Sequence, residues 1–157
     1  MKIIPIHFRK SKEVREWSEI ESIAKELAEL TNGEFKGEHS AAYAVHHSQV
    51  SEEPYNFFTV NKNLANMGVL PEIVVNPEIL EADESEGNIV RTSEGCMSFP
   101  HRKHKKIDRI FKMRVRYQIP RNGSLVTETQ EVSGIAAQIF QHELEHSRGE
   151  NIFGFTE

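Results

Sequence analysis

Gln141-His142-Glu143-Leu144-Glu145-His146 is the stretch whose reading decides the fold. Its His-Glu-x-x-His pattern sits among Ile135, Ile139, His142 and His146, which recur at spacings of 4, 3 and 4. That period keeps all four on one side of an α-helix. Two imidazoles one turn apart, about 6 Å along the axis, can reach the same metal ion. Glu143 follows the first ligand directly, so its carboxylate flanks the ion and can handle the protons of a water there. With 8 His and 24 acidic residues the pattern can also arise by chance, so a third ligand elsewhere decides its meaning.

Size and composition frame that helix. A chain of 157 residues is expected to form one domain, residues 1–157, with a substantial core. Charged residues at 27% and apolar residues at 38% fit neither a disordered nor a membrane-embedded chain. No apolar run approaches the roughly 20 residues of a membrane helix. Met1-Lys2-Ile3-Ile4-Pro5-Ile6 turns charged too soon for a signal peptide, so a cytoplasmic protein is expected. A net charge of -5 gives no electrostatic reason for a nucleic-acid site. The single cysteine excludes an internal disulfide and suits a reducing compartment, where it is a candidate ligand or nucleophile.

Upstream, Ser18-Glu19-Ile20-Glu21 has the form of a capping box with Ser18 as N-cap. Ile20, Ile23, Ala24, Leu27 and Leu30 follow at helical spacing towards an Asn32-Gly33 stop. Tyr55 to Val60 reads as a strand, with Phe57 and Phe58 as core residues. Leu70 to Val75 reads as another, closed by Asn76-Pro77, and the acidic stretch Glu78 to Ser93 as strand edge plus solvated loop. Phe111, Met113, Val115, Tyr117 and Ile119 alternate with Lys112, Arg114, Arg116 and Gln118. This is a half-buried antiparallel strand whose basic outer face is expected to be solvated rather than a binding patch. Pro120-Arg121-Asn122-Gly123 makes a turn, and Leu125 to Val132 returns as its partner. Ser133 is the expected N-cap of the last helix and Gly149 its stop. The fold class expected is α+β, antiparallel β-strands packed around a metal-binding helix.

The second motif is Glu94-Gly95-Cys96-Met97-Ser98. A loop cysteine by itself is as well explained as a small apolar residue. Beside a helix that lacks only its third ligand, it completes a set of one sulfur and two nitrogens, with the fourth tetrahedral position left for water. An ion would keep the thiolate deprotonated, which favours ligand over nucleophile. Zinc proteases whose third ligand lies downstream of the helix fit poorly, because eleven residues follow His146.

In order and separation these motifs resemble the peptide deformylase family. Glu94 to Ser98 is similar to its Glu-Gly-Cys-Leu-Ser, and Gln141 to His146 with Gly149 to its Gln-His-Glu-x-Asp-His-x-x-Gly. Arg109 ahead of the alternating strand, the Asn-Gly turn and Gly134-Ile135-Ala136-Ala137 fit between them. The chain's brevity resembles the deformylases carried by bacteriophages. The resemblance implies a deformylase-like fold and a metal-dependent hydrolase that removes the formyl group from N-terminal formyl-methionine. Its partners would be formyl-methionyl peptides or nascent chains near the ribosome, with no nucleic-acid or membrane site and a monomeric state. Cys96, His142 and His146 would hold one divalent ion, commonly Fe²⁺, with Zn²⁺ or Ni²⁺ tolerated. Glu143 would take the water's proton and return it to the leaving amine. The Gln49 side chain and the Met97 backbone N–H would stabilise the oxyanion. Ala44, Val45, Glu94, Gly95, Arg102 and Gln138 would contact substrate.

The family's Gly-x-Gly-Leu-Ala-Ala-x-Gln admits two registers here. One sets Ala41-Ala42 on the paired alanines and leaves Ala44 at the glutamine. The other sets residues 42–49 on the motif and keeps Gln49, at the usual distance before the strand at Phe57; this register is preferred. Both glycines then become Ala42 and Ala44, and the alanines become His46 and His47. These histidines are expected at the surface or behind the ligand set, with a polar role near the site as the alternative. Glu145 replaces Asp, and Lys103 competes with Arg102 for a basic substrate-contacting position. Gln138 stands where the family has an apolar residue lining its methionine pocket. The competing readings are a related metalloamidase with shifted N-acyl or side-chain specificity, and an inactive metal-binding homologue.

Overall fold

A computed structural model describes residues 1–4, 10–33, 42–96, 98–99 and 102–153. Its strands are β1 (Ala44–His46), β2 (Phe57–Val60), β3 (Ile73–Ala82), β4 (Ile89–Glu94), β5 (Lys105–Ile110), β6 (Lys112–Arg121) and β7 (Ser124–Ser133). The α-helices are α1 (Glu21–Thr31), α2 (Lys62–Asn66) and α3 (Ile135–Ser147). An antiparallel five-stranded sheet runs β1-β2-β3-β6-β7, and β4 and β5 form a separate hairpin. This is the α+β arrangement expected.

Period-2 alternation assigns the two faces of the sheet to two helices. On one face Phe58, Val60, Val74, Met113, Val115 and Tyr117 pack against Ala137, Ile139, Phe140 and Leu144 of α3. On the other, Val45, Phe57 and Val75 meet Ala24, Leu27 and Leu30 of α1. Phe58 and Phe140 touch edge-to-face at 6.1 Å and are fully buried, each contributing about 1.5–3 kcal/mol by area. α3, which carries the His-Glu-x-x-His pattern, is therefore fixed by the main core.

Several local expectations give way to other solutions. Ser18 does not cap α1; it lies in a 3₁₀ turn, Trp17–Glu19, and the box is made by Glu16 and Glu19. The Glu19 carboxylate accepts from the N–H groups of Arg15 and Glu16, so the acidic side chain closes the turn one residue after Ser18. Asn76-Pro77 does not close β3. It forms a bulge, with Asn76 at φ 48 and a register shift between Val75 and Glu78. The Asn76 amide holds that bulge by bonding Val14 N and O and Gln118. β3 thus runs on to Ala82, within the segment read as strand edge plus solvated loop. Ser133 ends β7, and Gly134 at φ 60 takes the N-cap position of α3, a conformation open to glycine.

The hairpin turn is as expected: Asn122 at φ 53 and Gly123 at φ 79 supply the positive φ pair that joins β6 to β7. On the basic outer face of β6, Lys112 pairs with Glu131 and Arg116 with Glu78. No helix among the described residues is long and apolar enough to cross a membrane.

Candidate metal centre and active site

Three segments converge on one point. α3 supplies His142, Glu143 and His146, the loop after β4 supplies Cys96, and the 3₁₀ turn His47–Gln49 after β1 supplies Gln49. Cys96 Sγ lies 3.4 Å from His146 Nε2, and Cys96, His142 and His146 each offer a donor atom within 4.8 Å of the other two. The helical period that aligned the two histidines brings their ring centroids to 5.1 Å.

A buried charge network orients the first histidine. His142 Nδ1 meets Glu94 Oε1 at 3.0 Å. An ionised carboxylate only accepts, so Nδ1 carries the proton and Nε2 keeps a lone pair for an ion. Glu94 in turn accepts from Arg109 Nε at 2.8 Å, Arg109 Nη2 at 2.7 Å and Thr92 Oγ1 at 2.6 Å. Arg109 Nη2 also donates to Glu145 Oε1 at 3.0 Å, so the Glu that replaces Asp between the histidines joins the same network. Burial opposes the charge on Glu94, but the donors from Arg109, His142 and Thr92 prevail and hold it down at about 2.

The electrostatics suit a cation. Burial disfavours a charged His142, yet Cys96, Glu94 and the Glu143 carboxylate together raise it to about 10. Burial, followed by the positive charge of His142, pushes His146 down. Burial raises Glu143 to about 7, and its Oε1 is enclosed without a hydrogen-bond partner among the described residues. A thiol and two imidazole nitrogens turned to a common point, beside an unpartnered carboxylate oxygen, fit a divalent ion of borderline softness.

Gln49 is buried, and its amide orientation is fixed by its partners. Oε1 accepts from the His46 N–H at 2.9 Å, leaving Nε2 to face Ser98 Oγ at 3.0 Å and Cys96 Sγ at 3.9 Å. The register that keeps Gln49 is the one whose side chain reaches the cluster. Ala44 sits on the edge strand. Tyr43 O accepts from Asn61 N, so alternation turns the N–H and C=O of Ala44 to the open edge.

The other expected substrate contacts have these surroundings. Val45 faces the α1 core and is fully buried, because it shares a sheet face with Phe57. The Glu94 carboxylate is committed to Arg109, Thr92 and His142, so it orients the His142 ring. Arg102 is exposed, with its guanidinium 4.9 Å over Phe153 and 5.5 Å from Phe99. Gly95 lies under the His104 ring, where a Cβ would come within 2.7 Å of the imidazole. Gln138 is half-buried one turn before His142. Met97 lies outside the described residues. His46 and His47, expected at the surface or behind the ligand set, are both buried.

Ser98 entered only as the end of the second motif, and Thr92 and Ser48 were given no role by the sequence, because short hydroxyl side chains carry no periodic signal. Arg109 had one: in β5 it falls on the inward side with Ile107, and a buried arginine requires a carboxylate.

The sequence model of the polypeptide deformylase family matches residues 4–154. The chain belongs to this family. A peptide deformylase of Thermotoga sp. is 44% identical over 85 residues, which cover 54% of this chain and 47% of that protein. The matched stretch is thus about half the length of that relative. The Thermus thermophilus peptide deformylase is 29% identical over 152 residues, 92% of this chain and 74% of its own. Among solved structures, a probable peptide deformylase from Synechococcus phage S-SSM7 superposes with a TM-score of 0.73 at 20% identity. That match covers 97% of this chain and 98% of the phage protein, so a deformylase fold of this length has a phage-encoded counterpart.

Proposed function

We propose that the chain is a metal-dependent hydrolase that removes the N-formyl group from formyl-methionyl peptides, working as a single catalytic domain over residues 1–157. The observation that carries this reading is the meeting of Cys96, His142 and His146 with the Glu143 carboxylate and the Gln49 amide. Family membership supports it. Cys96, His142 and His146 would hold one divalent ion, Fe²⁺ in the cell, with Zn²⁺ or Ni²⁺ able to replace it. When bound, the ion supplies a Lewis acid that makes water nucleophilic near neutral pH. Glu143 accepts the water's proton, which its burial suits it to hold near neutrality, and passes it to the leaving amine. Gln49 Nε2 donates to the oxygen on which charge develops. The open edge of β1 at Ala44 would receive the peptide backbone. The substrates would be nascent chains in the cytoplasm, met by a monomer.

Release of formate from formyl-Met-Ala-Ser by protein purified without oxygen tests the reading, with Glu143→Ala as the inactive control. Turnover that favours acetylated or non-methionine formyl peptides would instead support a metalloamidase of shifted specificity. That second reading is favoured by the half-buried amide of Gln138, one turn before His142.

A further inference from the structure

His46 stands out among the buried groups that the proposed chemistry leaves unused. It is fully buried on β1, on the sheet face that packs against α3, and every polar atom of its ring is engaged. Nδ1 accepts from the Ser48 N–H at 3.0 Å, and therefore carries no proton. Nε2–H then donates to Asn56 Oδ1 at 3.2 Å, which fixes the tautomer and the ring plane. The imidazole caps the 3₁₀ turn His47–Gln49 as the N-cap residue. The cap is reciprocal: the His46 backbone N–H returns to Gln49 Oε1 at 2.9 Å. The same turn is tied to the ligand-bearing helix, because Ser48 Oγ donates to the His146 carbonyl at 3.0 Å.

We infer that His46 is a positioning residue: through Asn56, Ser48 and its own backbone, its imidazole holds the Gln49 carboxamide with Nε2 aimed at the metal cluster. This rests on the reading of Gln49 as oxyanion donor. An alanine here would leave the turn without a side-chain acceptor, so this chain uses a ring where a methyl would only fill space. The geometry requires a neutral ring, and burial keeps it neutral at ordinary pH, with its pKa lowered to about 3.

The test compares wild type with His46→Leu, His46→Asn, Asn56→Ala, Gln49→Leu and the double variant His46→Leu/Gln49→Leu. Each is read by metal content, by kcat and KM on formyl-Met-Ala-Ser, and by the ¹⁵N resonance of the Gln49 side-chain amide. His46→Leu should lower kcat about tenfold with KM nearly unchanged, move that resonance towards a solvent-exposed glutamine, and leave metal content intact. Asparagine, a good N-cap, should restore most of the activity and the resonance. Asn56→Ala, a half-buried site, should shift the resonance in the same direction as His46→Leu. Adding His46→Leu to Gln49→Leu should cost nothing further.

An unmoved Gln49 resonance in both His46→Leu and Asn56→Ala would overturn the inference, as would a double variant whose losses simply add. If His46→Leu does not fold, the resonance in Asn56→Ala decides: a shift supports the inference and an unmoved resonance overturns it. Full activity in Gln49→Leu would overturn the oxyanion role instead, leaving the resonance to judge His46.

Discussion

Arg109→Met exchanges a buried guanidinium for an apolar side chain of similar length. Arg109 and Glu94 have side chains only 5% and 3% exposed, whereas Glu145 is 24% exposed. Three charged hydrogen bonds disappear, at 2.7, 2.8 and 3.0 Å. At about 1.5–3 kcal/mol each their sum would overshoot, since all three share one cation. Glu145 regains water, while Glu94 stays buried with only Thr92 and His142, so the net loss is about 3–5 kcal/mol, as for other broken buried pairs. The pH dependence has a definite sign. Glu94 is held at about 2, below the roughly 4.3 of an unfolded glutamate, so its contribution is complete above that value. It fades as pH falls towards 2, and the gap between wild type and variant should narrow there. Urea unfolding in chelator, at pH 7 and pH 3.5, measures both quantities without metal linkage. Because Glu94 orients His142, metal affinity should also drop about 10- to 100-fold. A loss under about 1 kcal/mol with unchanged metal affinity would refute the role given to this network.

Cys96→Ala should lose the ion or bind a different one, read by metal analysis of protein purified without oxygen; full metal with full activity would refute the one-sulfur, two-nitrogen set. Gln49→Leu should lower kcat by roughly 10²-fold with metal retained, and a small loss would return the motif to its other register. Phe140→Ala, at the contact of α3 with Phe58 and Tyr117, should cost about 3–5 kcal/mol in urea unfolding. His47 is buried and, through burial and then the charge of Lys12, lowered to about 4. Unfolded it titrates near 6.5, so the unfolded chain binds more protons between those values and stability falls as pH drops through that window. The loss is about 2 kcal/mol at pH 5, and His47→Leu should lose that much less between pH 7 and pH 5.

The helix and its aligned histidines were legible because a 3.6-residue period and a two-residue alternation are written into side-chain type. Met113, Val115 and Tyr117 face the core as their alternation requires, and His142 and His146 share a helix face. What was hidden depends on partners distant in sequence. Glu94 could be taken for a substrate contact because nothing local reveals Arg109, fifteen residues on, as its counterion. Asn76-Pro77 looked like a strand end, since the bulge it makes is held by Val14 and Gln118 from elsewhere in the chain. For the same reason His46 and His47 could be read either as surface residues or as lying behind the ligand set. Asn56 and the Tyr55 N–H, which satisfy them, come from the next segment.

The most direct measurement is formate released per peptide from formyl-Met-Ala-Ser by anaerobically purified protein, taken with its metal content. One ion per chain, stoichiometric formate, loss of turnover on chelation and its return with Fe²⁺ are expected. A chain that binds one ion through Cys96, His142 and His146 yet releases no formate would contradict the proposed function.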